Sequence, residues 1–250
     1  MLIELSYTVA HATIYDMDED TLTSAEAAAR LGVTPRQIQR LVENGAIRKA
    51  GAVGRTSLLD TTSVLALAQH GTARGRPWHE GTAWAALELL SGRTDVLADN
   101  PSRRWHLRNR LAHMGTDELI RAAKSRARVH RYRASASFLD DLADRITRTG
   151  LSALTDRSLA RKFGLAVART DTLDGYVARY RLGDLVRRFH LLEDAHGNVT
   201  LHVVEADDTE LLNPGGIVDA AVLALDLAES LDPRHRAAGT RYLAQLMAAL

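Results

Sequence analysis

Two arginines and two glutamines fall within five consecutive positions, at Arg36, Gln37, Gln39 and Arg40. Guanidinium and carboxamide groups can each make two hydrogen bonds to one base edge, arginine to guanine and glutamine to adenine, and arginine also binds phosphate oxygens. Arg36 and Arg40 are four positions apart, so on a helix they would lie on one face. The spacing therefore predicts a helix whose polar face reads the bases of double-stranded DNA.

The segment around these residues has the signals of a helix start and of a buried face. Thr34 can cap the helix, and Pro35 fits its first turn because that position needs no N–H. Gln37 follows Thr34 by three residues and would complete a capping box. The apolar residues Ile38, Leu41 and Val42 follow helical spacing and would face a core. We also expect the Thr34 hydroxyl to contact a DNA phosphate.

A second helix is predicted just before the first. Thr23 and Glu26 form a capping box pattern, and Gly32 would end the helix before residue 34. The small residues Ala25, Ala28 and Ala29 predict a face that allows two helices to cross closely. Two capped helices joined by a short turn are typical of a DNA-binding helix-turn-helix. The alternative is a small helical hairpin used for protein contacts, with its arginines only solvated.

The residues that follow predict a wing. Residues 46–49 and 56–60 read as short strands around residues 51–55, which contain two glycines and a basic tip. Such a hairpin can follow the phosphate backbone, so Lys49 and Arg55 are predicted phosphate contacts. We therefore predict a winged helix-turn-helix DNA-binding domain at residues 21–72.

The charge of the chain is unevenly distributed, although its net charge is only +1. Residues 93–133 carry eleven basic and four acidic residues, while residues 1–20 carry five acidic and no basic ones. Basic charge beside a DNA-reading unit fits a nucleic-acid footprint. We predict secondary contacts to phosphate, or to an acidic partner, from a basic set made of Arg103, Arg104, Arg108, Arg128 and Arg131.

The fold class predicted for the whole chain is mainly α with α+β. Residues 1–20 are expected to form a leader or a short strand, residues 73–133 a basic helical segment, and residues 134–250 an α/β domain. Within the last domain the patterns predict a short strand at 165–168, a turn at 173–175, and a hairpin of strands 191–193 and 199–205. Two helices are expected to end the chain, after residue 216. The tryptophans Trp78, Trp84 and Trp105 are expected as core anchors.

Enzyme signatures are mostly missing. The chain has no cysteine, no phosphate-binding glycine loop and no zinc-protease or nucleophile-elbow motif. His190, His196 and His202 are evenly spaced but fall on different predicted elements, so we expect no metal site. We predict no catalytic residues, no cofactor and no enzyme activity. No apolar run of about 18 residues occurs, so we expect a cytoplasmic protein without a membrane partner.

Two resemblances extend this interpretation. "TSAEAAARLGVTPRQIQRLVENGAI" resembles the winged helix-turn-helix of the MerR and excisionase type. Much of the remainder is similar to the antitoxin half of actinobacterial AbiEi-type (type IV) toxin–antitoxin pairs, through "RPWHEGTAWAALELLSG", "VHRYRAS", "LDGYVARYRLGDLVRRFHLLEDAHGNVTLHVV" and "VLALDLAESLDPRHRAAG". The second resemblance implies an autorepressor whose C-terminal domain counteracts a nucleotidyltransferase toxin.

The expected partners are therefore operator DNA and a cognate toxin, and binding of DNA as a homo-oligomer is left open. The same reasoning predicts that residues 134–250 alone suffice against the toxin. The alternative function is an excisionase-like or ligand-responsive transcriptional regulator.

Overall fold

The structure is a computed structural model that describes residues 21–43, 46–54, 56–70, 77–93, 95–205 and 212–250. The chain divides into two compact units, Met1–Ala73 and Arg74–Leu250. Helices and two β-sheets occur together, which confirms the predicted mainly α fold with α+β character. The leader or strand predicted at residues 1–20 lies outside the described residues.

The first unit is a three-stranded antiparallel sheet packed with helices. Its strand order is β1-β3-β2, and its elements are β1 (Thr21–Thr23), α1 (Ser24–Leu31), α2 (Pro35–Glu43), β2 (Lys49–Val53), β3 (Thr56–Asp60) and α3 (Thr61–His70). The sequence did not indicate β1, whose three residues pair with the end of β3. It also assigned Gly51 and Val53 to a turn, whereas both lie in β2.

A small core holds this unit together. The buried residues come from α1, α2, the loop before β2, and then β3 and α3: Ala27, Ala28, Ile38, Ile47, Leu59, Val64 and Leu67. Leu41 and Val42 pack against them as the apolar face of α2, as the helical spacing predicted. Burying these side chains stabilises the unit because apolar surface leaves water.

The second unit is built around a five-stranded sheet of order β5-β6-β8-β4-β7. Neighbouring strands are antiparallel except β6 and β8, which are parallel. The strands are β4 (Arg128–Arg133), β5 (Thr147–Arg148), β6 (Leu173–Ala178), β7 (Leu192–Glu193) and β8 (Val199–Val204). The α-helices are α4 (Glu80–Leu90), α5 (Pro101–His113), α6 (Thr116–Ala122), α7 (Leu139–Ala143), α8 (Gly150–Ala153), α9 (Arg157–Phe163), α10 (Arg179–Arg188), α11 (Ala220–Ala228) and α12 (Pro233–Ala248).

The sheet separates two apolar clusters. Val204 belongs to the larger cluster, with the core residues of α4, α6, α11 and α12, while its neighbour Val203 belongs to the smaller cluster under α10. Adjacent strand residues point to opposite faces, which explains this division. Trp84 is buried in the larger cluster and packs edge-on against Tyr176 at 5.4 Å between ring centroids.

One of the three tryptophans departs from the expected core position. Trp78 and Trp84 are buried, whereas Trp105 on α5 is 61% exposed. The opposite side of α5 supplies Leu107 and Leu111 to the larger apolar cluster, so packing of this helix on the core does not need the Trp105 indole.

The boundary predicted between residues 133 and 134 falls inside this second unit. It lies directly after β4, which pairs with β8 on one side and β7 on the other. The predicted basic segment at 73–133 therefore contributes a strand to the sheet and helices to the larger cluster. A change in charge along the chain marked the prediction, but charge does not indicate which strands pair.

Three local predictions in this unit were wrong. Residues 165–168 form no strand, and residues 173–175 begin β6 instead of forming a turn. The strands β7 and β8 lie on opposite sides of β4 and each pairs with it, so they do not form the predicted hairpin. The Asn198 side chain bonds the backbone N and O of Ala134 at 2.9 and 3.1 Å, which ties the intervening loop to the end of β4.

Candidate nucleic-acid interface

The outward face of α2 carries the four predicted base-reading side chains. Arg36, Gln37, Gln39 and Arg40 are all exposed, whereas Ile38 between them is completely buried. Helical geometry produces this separation, because the exposed positions lie opposite the stripe that packs on the core. Within the described residues, neither arginine forms an ion pair, so both guanidinium groups have open hydrogen-bond donors.

The start of α2 is built as the sequence predicted at Thr34. The backbone N–H of Gln37 donates to the Thr34 hydroxyl at 3.3 Å and to its carbonyl oxygen at 2.9 Å. Thr34 is exposed, and its hydroxyl proton remains a donor for a phosphate oxygen. The positive end of the helix dipole adds to the attraction for an anion there.

Charge is graded along the exposed face of α2. The arginines occupy its first and middle turns, while Glu43 is exposed at its last position. A helix-turn-helix contacts base edges with the N-terminal residues of its second helix. The gradient therefore places cations on the part of the helix that contacts base edges in a DNA-binding helix-turn-helix.

The turn before α2 depends on one glycine. Gly32 has φ +64°, and its N–H bonds the carbonyl oxygens of Ala28 and Ala29. A residue with a side chain rarely adopts this conformation, which explains glycine at this position. The buried small residues of α1 are Ala27 and Ala28, whereas Ala25 and Ala29 of the predicted small face are exposed.

Of the two phosphate contacts predicted in the wing, Lys49 is the one that the structure describes. It is exposed at the first position of β2, where it pairs with Leu59 of β3. Gly54 follows β2 with φ +59°, which suits a tight hairpin connection. The second predicted wing contact, Arg55, lies outside the described residues.

A polar cluster at the base of the wing was missed by the sequence analysis. This wing-base cluster consists of Arg48, Asp60 and Ser63. The Arg48 guanidinium lies 3.1 Å from the Asp60 carboxylate, and the Arg48 N–H donates to the Ser63 hydroxyl at 3.1 Å. Asp60 is only 4% exposed and accepts bonds from the N–H groups of Thr62 and Ser63 at 3.3 and 3.2 Å. It therefore caps α3 and fixes both strands of the wing to that helix. An Asp directly before a Thr-Thr-Ser helix start was the available signal.

The secondary basic set lies on α5 and β4 in the second unit. On α5, Arg103 donates to the Thr82 hydroxyl at 3.2 Å, and Arg108 donates to the main-chain oxygen of Leu250 at 3.1 Å. Arg104 is half-buried. Arg103 and Arg108 are therefore held by contacts within their own unit.

On β4 the secondary arginines also have partners in their own unit. Arg128 lies 3.8 Å from the Glu205 carboxylate, and Arg131 donates to the Ala195 carbonyl oxygen at 3.2 Å. Arg128 is exposed and Arg131 is half-buried. Arg131 therefore offers less of its side chain to a phosphate than the arginines of α2 do.

Arg126, another member of the basic run at 93–133, is an interior residue. It is 3% exposed and forms ion pairs with Asp226 and Glu229 of the α11 region. Its Nε donates to the Tyr176 hydroxyl at 2.9 Å. Burial disfavours the charge, but Glu229, Tyr176 and Asp226 together raise the pKa of Arg126 above its ordinary value.

The described residues contain no group of three or more His, Asp or Glu side chains arranged to hold a metal ion. His190 and His196 are exposed, and His202 stacks on Tyr176 at 4.8 Å between ring centroids. No helix in the described part of the chain is long and apolar enough to cross a membrane.

Comparison with known proteins identifies one region. Residues 21–72 match the family described as a helix-turn-helix domain. Searches of curated proteins and of solved structures found no match. The match covers the predicted domain at 21–72, with both helices, the wing and α3. Together with the geometry of α2, it identifies the first unit as a helix-turn-helix domain of the DNA-binding class.

Proposed function

We propose that the protein is a cytoplasmic, sequence-specific repressor of its own operon and an antitoxin to a cognate nucleotidyltransferase toxin. The observation that carries the DNA-binding part is the exposed face of α2. It holds Arg36 and Arg40 one helical turn apart, without ion-pair partners among the described residues. That face lies opposite the buried stripe, so it can enter a groove without opening the core.

Each side chain has a proposed role. Arg36, Gln37 and Arg40 read bases, with Gln39 on the edge of the same face. Thr34 and Lys49 hold phosphates, and so does Arg55 at the wing tip. Base contacts specify the sequence, whereas phosphate contacts fix the register of the domain on the duplex.

A binding series on the DNA upstream of the gene tests these roles. Lys49→Ala should weaken binding to all sequences. It should also reduce the slope of log binding constant against log salt concentration by about one, as the loss of one phosphate contact does. Loss of Gln37 by Gln37→Ala should instead weaken binding to the operator more than to a scrambled duplex. A uniform loss in both variants would contradict the assigned division between base and phosphate contacts.

The antitoxin part of the proposal is supported by the sequence resemblance of the second unit. An excisionase-like or ligand-responsive regulator is the alternative, since the first unit fits all three. We further propose that the protein has no enzyme activity. The neighbouring gene separates the alternatives: a nucleotidyltransferase with a G-S-x-[DE]-x-[DE] motif supports the antitoxin, and an integrase supports the excisionase.

A rescue experiment tests the antitoxin with the full chain. Cells expressing the neighbouring nucleotidyltransferase should grow when they also express the protein. They should still grow with the Arg36→Ala/Arg40→Ala variant, because neutralisation is assigned to the second unit. Growth arrest of cells that express the toxin together with the unmodified protein would contradict the antitoxin function. If the unmodified protein restores growth but the Arg36→Ala/Arg40→Ala variant does not, this division of roles is wrong.

A further inference from the structure

One carboxylate interrupts the basic outward face of α2. Glu43 is exposed at the last position of this helix, one turn beyond Arg40 and two turns beyond Arg36. The three positions follow the i, i+4, i+7 spacing, so their side chains form one stripe along the helix. At about 100° per residue, Glu43 projects within about 35° of the direction opposite the buried stripe. It is therefore closer to the centre of the outward face than either glutamine of α2.

Among the residues that the structure describes, the Glu43 carboxylate has no ion-pair or hydrogen-bond partner. Arg40 precedes it by three residues, a spacing at which opposite charges on a helix can pair, but these two described side chains do not. The position is also unfavourable for the helix itself, because the C-terminal end of a helix dipole is negative. Stabilisation of the first unit therefore does not explain a carboxylate at this position.

The chemistry of a carboxylate restricts what Glu43 can bind on DNA. Phosphates repel it, because both groups are anionic. An ionised carboxylate only accepts hydrogen bonds, and the donors in the major groove are the N6 amino group of adenine and the N4 amino group of cytosine. The adenine amino group lies between two acceptors, its own N7 and the O4 of thymine, whereas the cytosine amino group has only guanine O6 beside it. Cytosine is therefore the base that suits Glu43.

The length of the stripe fits the major groove. Glu43 lies about 10.5 Å along the helix axis from Arg36 and about 4.5 Å from Arg40, and the groove is about 12 Å wide. Helices that read this groove can use side chains at positions i, i+3, i+4 and i+7, which is the spacing of residues 36, 39, 40 and 43. A side chain at the end of this nine-residue helix can thus contact one base while the two arginines contact others.

We propose that Glu43 is a specificity-determining residue that accepts a hydrogen bond from the N4 amino group of a cytosine in the operator. This role rests on the proposed DNA-binding function and adds a selected base to it. Arg36 and Arg40 attract any duplex through its phosphates as well as selecting guanine, since arginine binds both. Glu43 instead repels phosphates, so it weakens binding to every sequence that lacks the matching amino group.

A base-preference measurement with the full chain tests this role. Binding to the operator and to its single-base-pair variants is compared for the unmodified chain, Glu43→Ala and Glu43→Gln at one fixed salt concentration. The unmodified chain should prefer cytosine at one operator position by about tenfold or more, and Glu43→Ala should lose that preference. Glu43→Gln should change the preferred base there from cytosine to adenine, because a carboxamide bonds adenine N6 and N7 together.

Asp117→Asn is the matched control, because it removes an exposed carboxylate from the second unit, outside the helix-turn-helix domain. It should leave every base preference unchanged. Both Glu43 variants should keep the thermal unfolding temperature of the first unit, since the carboxylate makes no contact among the described residues. If Glu43→Ala changes the affinity for all duplexes by the same factor and alters no base preference, Glu43 acts only through its charge and the proposal is overturned.

The same measurement separates the cytosine contact from the DNA-binding function on which it rests. If Arg36→Ala/Arg40→Ala loses discrimination but both Glu43 variants keep every base preference, the DNA-binding function holds and the cytosine contact is wrong. If the unmodified chain does not distinguish its operator from a scrambled duplex, the DNA-binding function fails and the cytosine contact fails with it.

Discussion

The arginines of α2 and Arg126 show how one residue type serves two different purposes in this chain. Arg36 and Arg40 are exposed and have no ion-pair partner among the described residues, whereas Arg126 is buried between two carboxylates. The sequence around Arg126 has the higher local density of positive charge. Charge density along the chain therefore did not distinguish a surface that can bind DNA from an interior ion pair. The position of each arginine relative to the apolar stripe of its element does distinguish them.

The largest expected effect concerns the strand that follows the basic segment. A fragment of residues 134–250 lacks β4, the strand between β8 and β7, and should fail to fold and fail to counteract the toxin. A fragment of residues 74–250 keeps the whole compact unit and should fold cooperatively. Circular dichroism with urea unfolding of both fragments measures this. Cooperative unfolding of the shorter fragment would show that β4 is dispensable.

Removing the buried guanidinium should have the next largest effect. Arg126→Met leaves the buried Asp226 carboxylate without its cation, and breaking such a pair costs about 3–5 kcal/mol. Urea unfolding of the full chain measures this loss in the second unit.

An exposed arginine provides the control for Arg126. Arg161→Ala on α9 removes an exposed charge and should change stability by no more than about 0.5 kcal/mol. The double variant Arg126→Met/Asp226→Leu should recover part of the loss, because it removes the more deeply buried of the two carboxylates that lose their cation. If Arg126→Met lowers the free energy of unfolding no more than Arg161→Ala does, the interior ion pair does not stabilise the second unit.

The wing-base cluster should have a smaller effect on the first unit. Asp60→Ala removes the cap of α3 and the partner of Arg48, and loss of a cap costs about 0.5–2 kcal/mol. Because the wing is fixed through this cluster, operator affinity should also fall. Asp117→Ala, at an exposed position near the start of α6, is the control and should change neither quantity. Unchanged stability in Asp60→Ala would show that the cluster does not stabilise the unit.

The smallest expected effect is on pH dependence. Burial lowers the pKa of His202 from its ordinary value of 6.5, so the unfolded chain takes up a proton that the folded unit resists. The contribution of neutral His202 to the free energy of unfolding should therefore be fully present above about pH 6.5 and decrease as the pH falls towards 6. His202→Gln should reduce that fall in urea unfolding at pH 7.5 and 6. An unchanged slope would mean that other groups cause the dependence.

Periodic and capping patterns predicted the first unit well. The box at Thr23, the turn at Gly32 and the buried Ile38 are local features, because each depends on residues within one helical turn. The wing-base cluster was not predicted, since Arg48 and Asp60 meet only after β2 and β3 pair. Local patterns do not contain that pairing.

The second unit was predicted less well because its sheet joins distant segments. The last helix was expected from Asp232 and Pro233, and it begins there. In contrast, the hairpin predicted around Gly197 is replaced by pairing with β4. A Cβ atom at Gly197 would lie 2.1 Å from the Tyr132 carbonyl oxygen, so the glycine allows the loop to pass β4 closely. Its role as a site of close approach could not be distinguished from a turn in the sequence.

The central claim is that Arg36 and Arg40 select the operator sequence. Fluorescence anisotropy would compare binding of the full chain to its operator and to a scrambled duplex at one fixed salt concentration. The matched control is Arg157→Ala/Arg161→Ala, which removes two exposed arginines with the same four-residue spacing on α9. Arg36→Ala/Arg40→Ala should lose about 1–3 kcal/mol of discrimination for each base pair that an arginine reads, while the control keeps it. Full discrimination by the Arg36→Ala/Arg40→Ala variant would contradict the account.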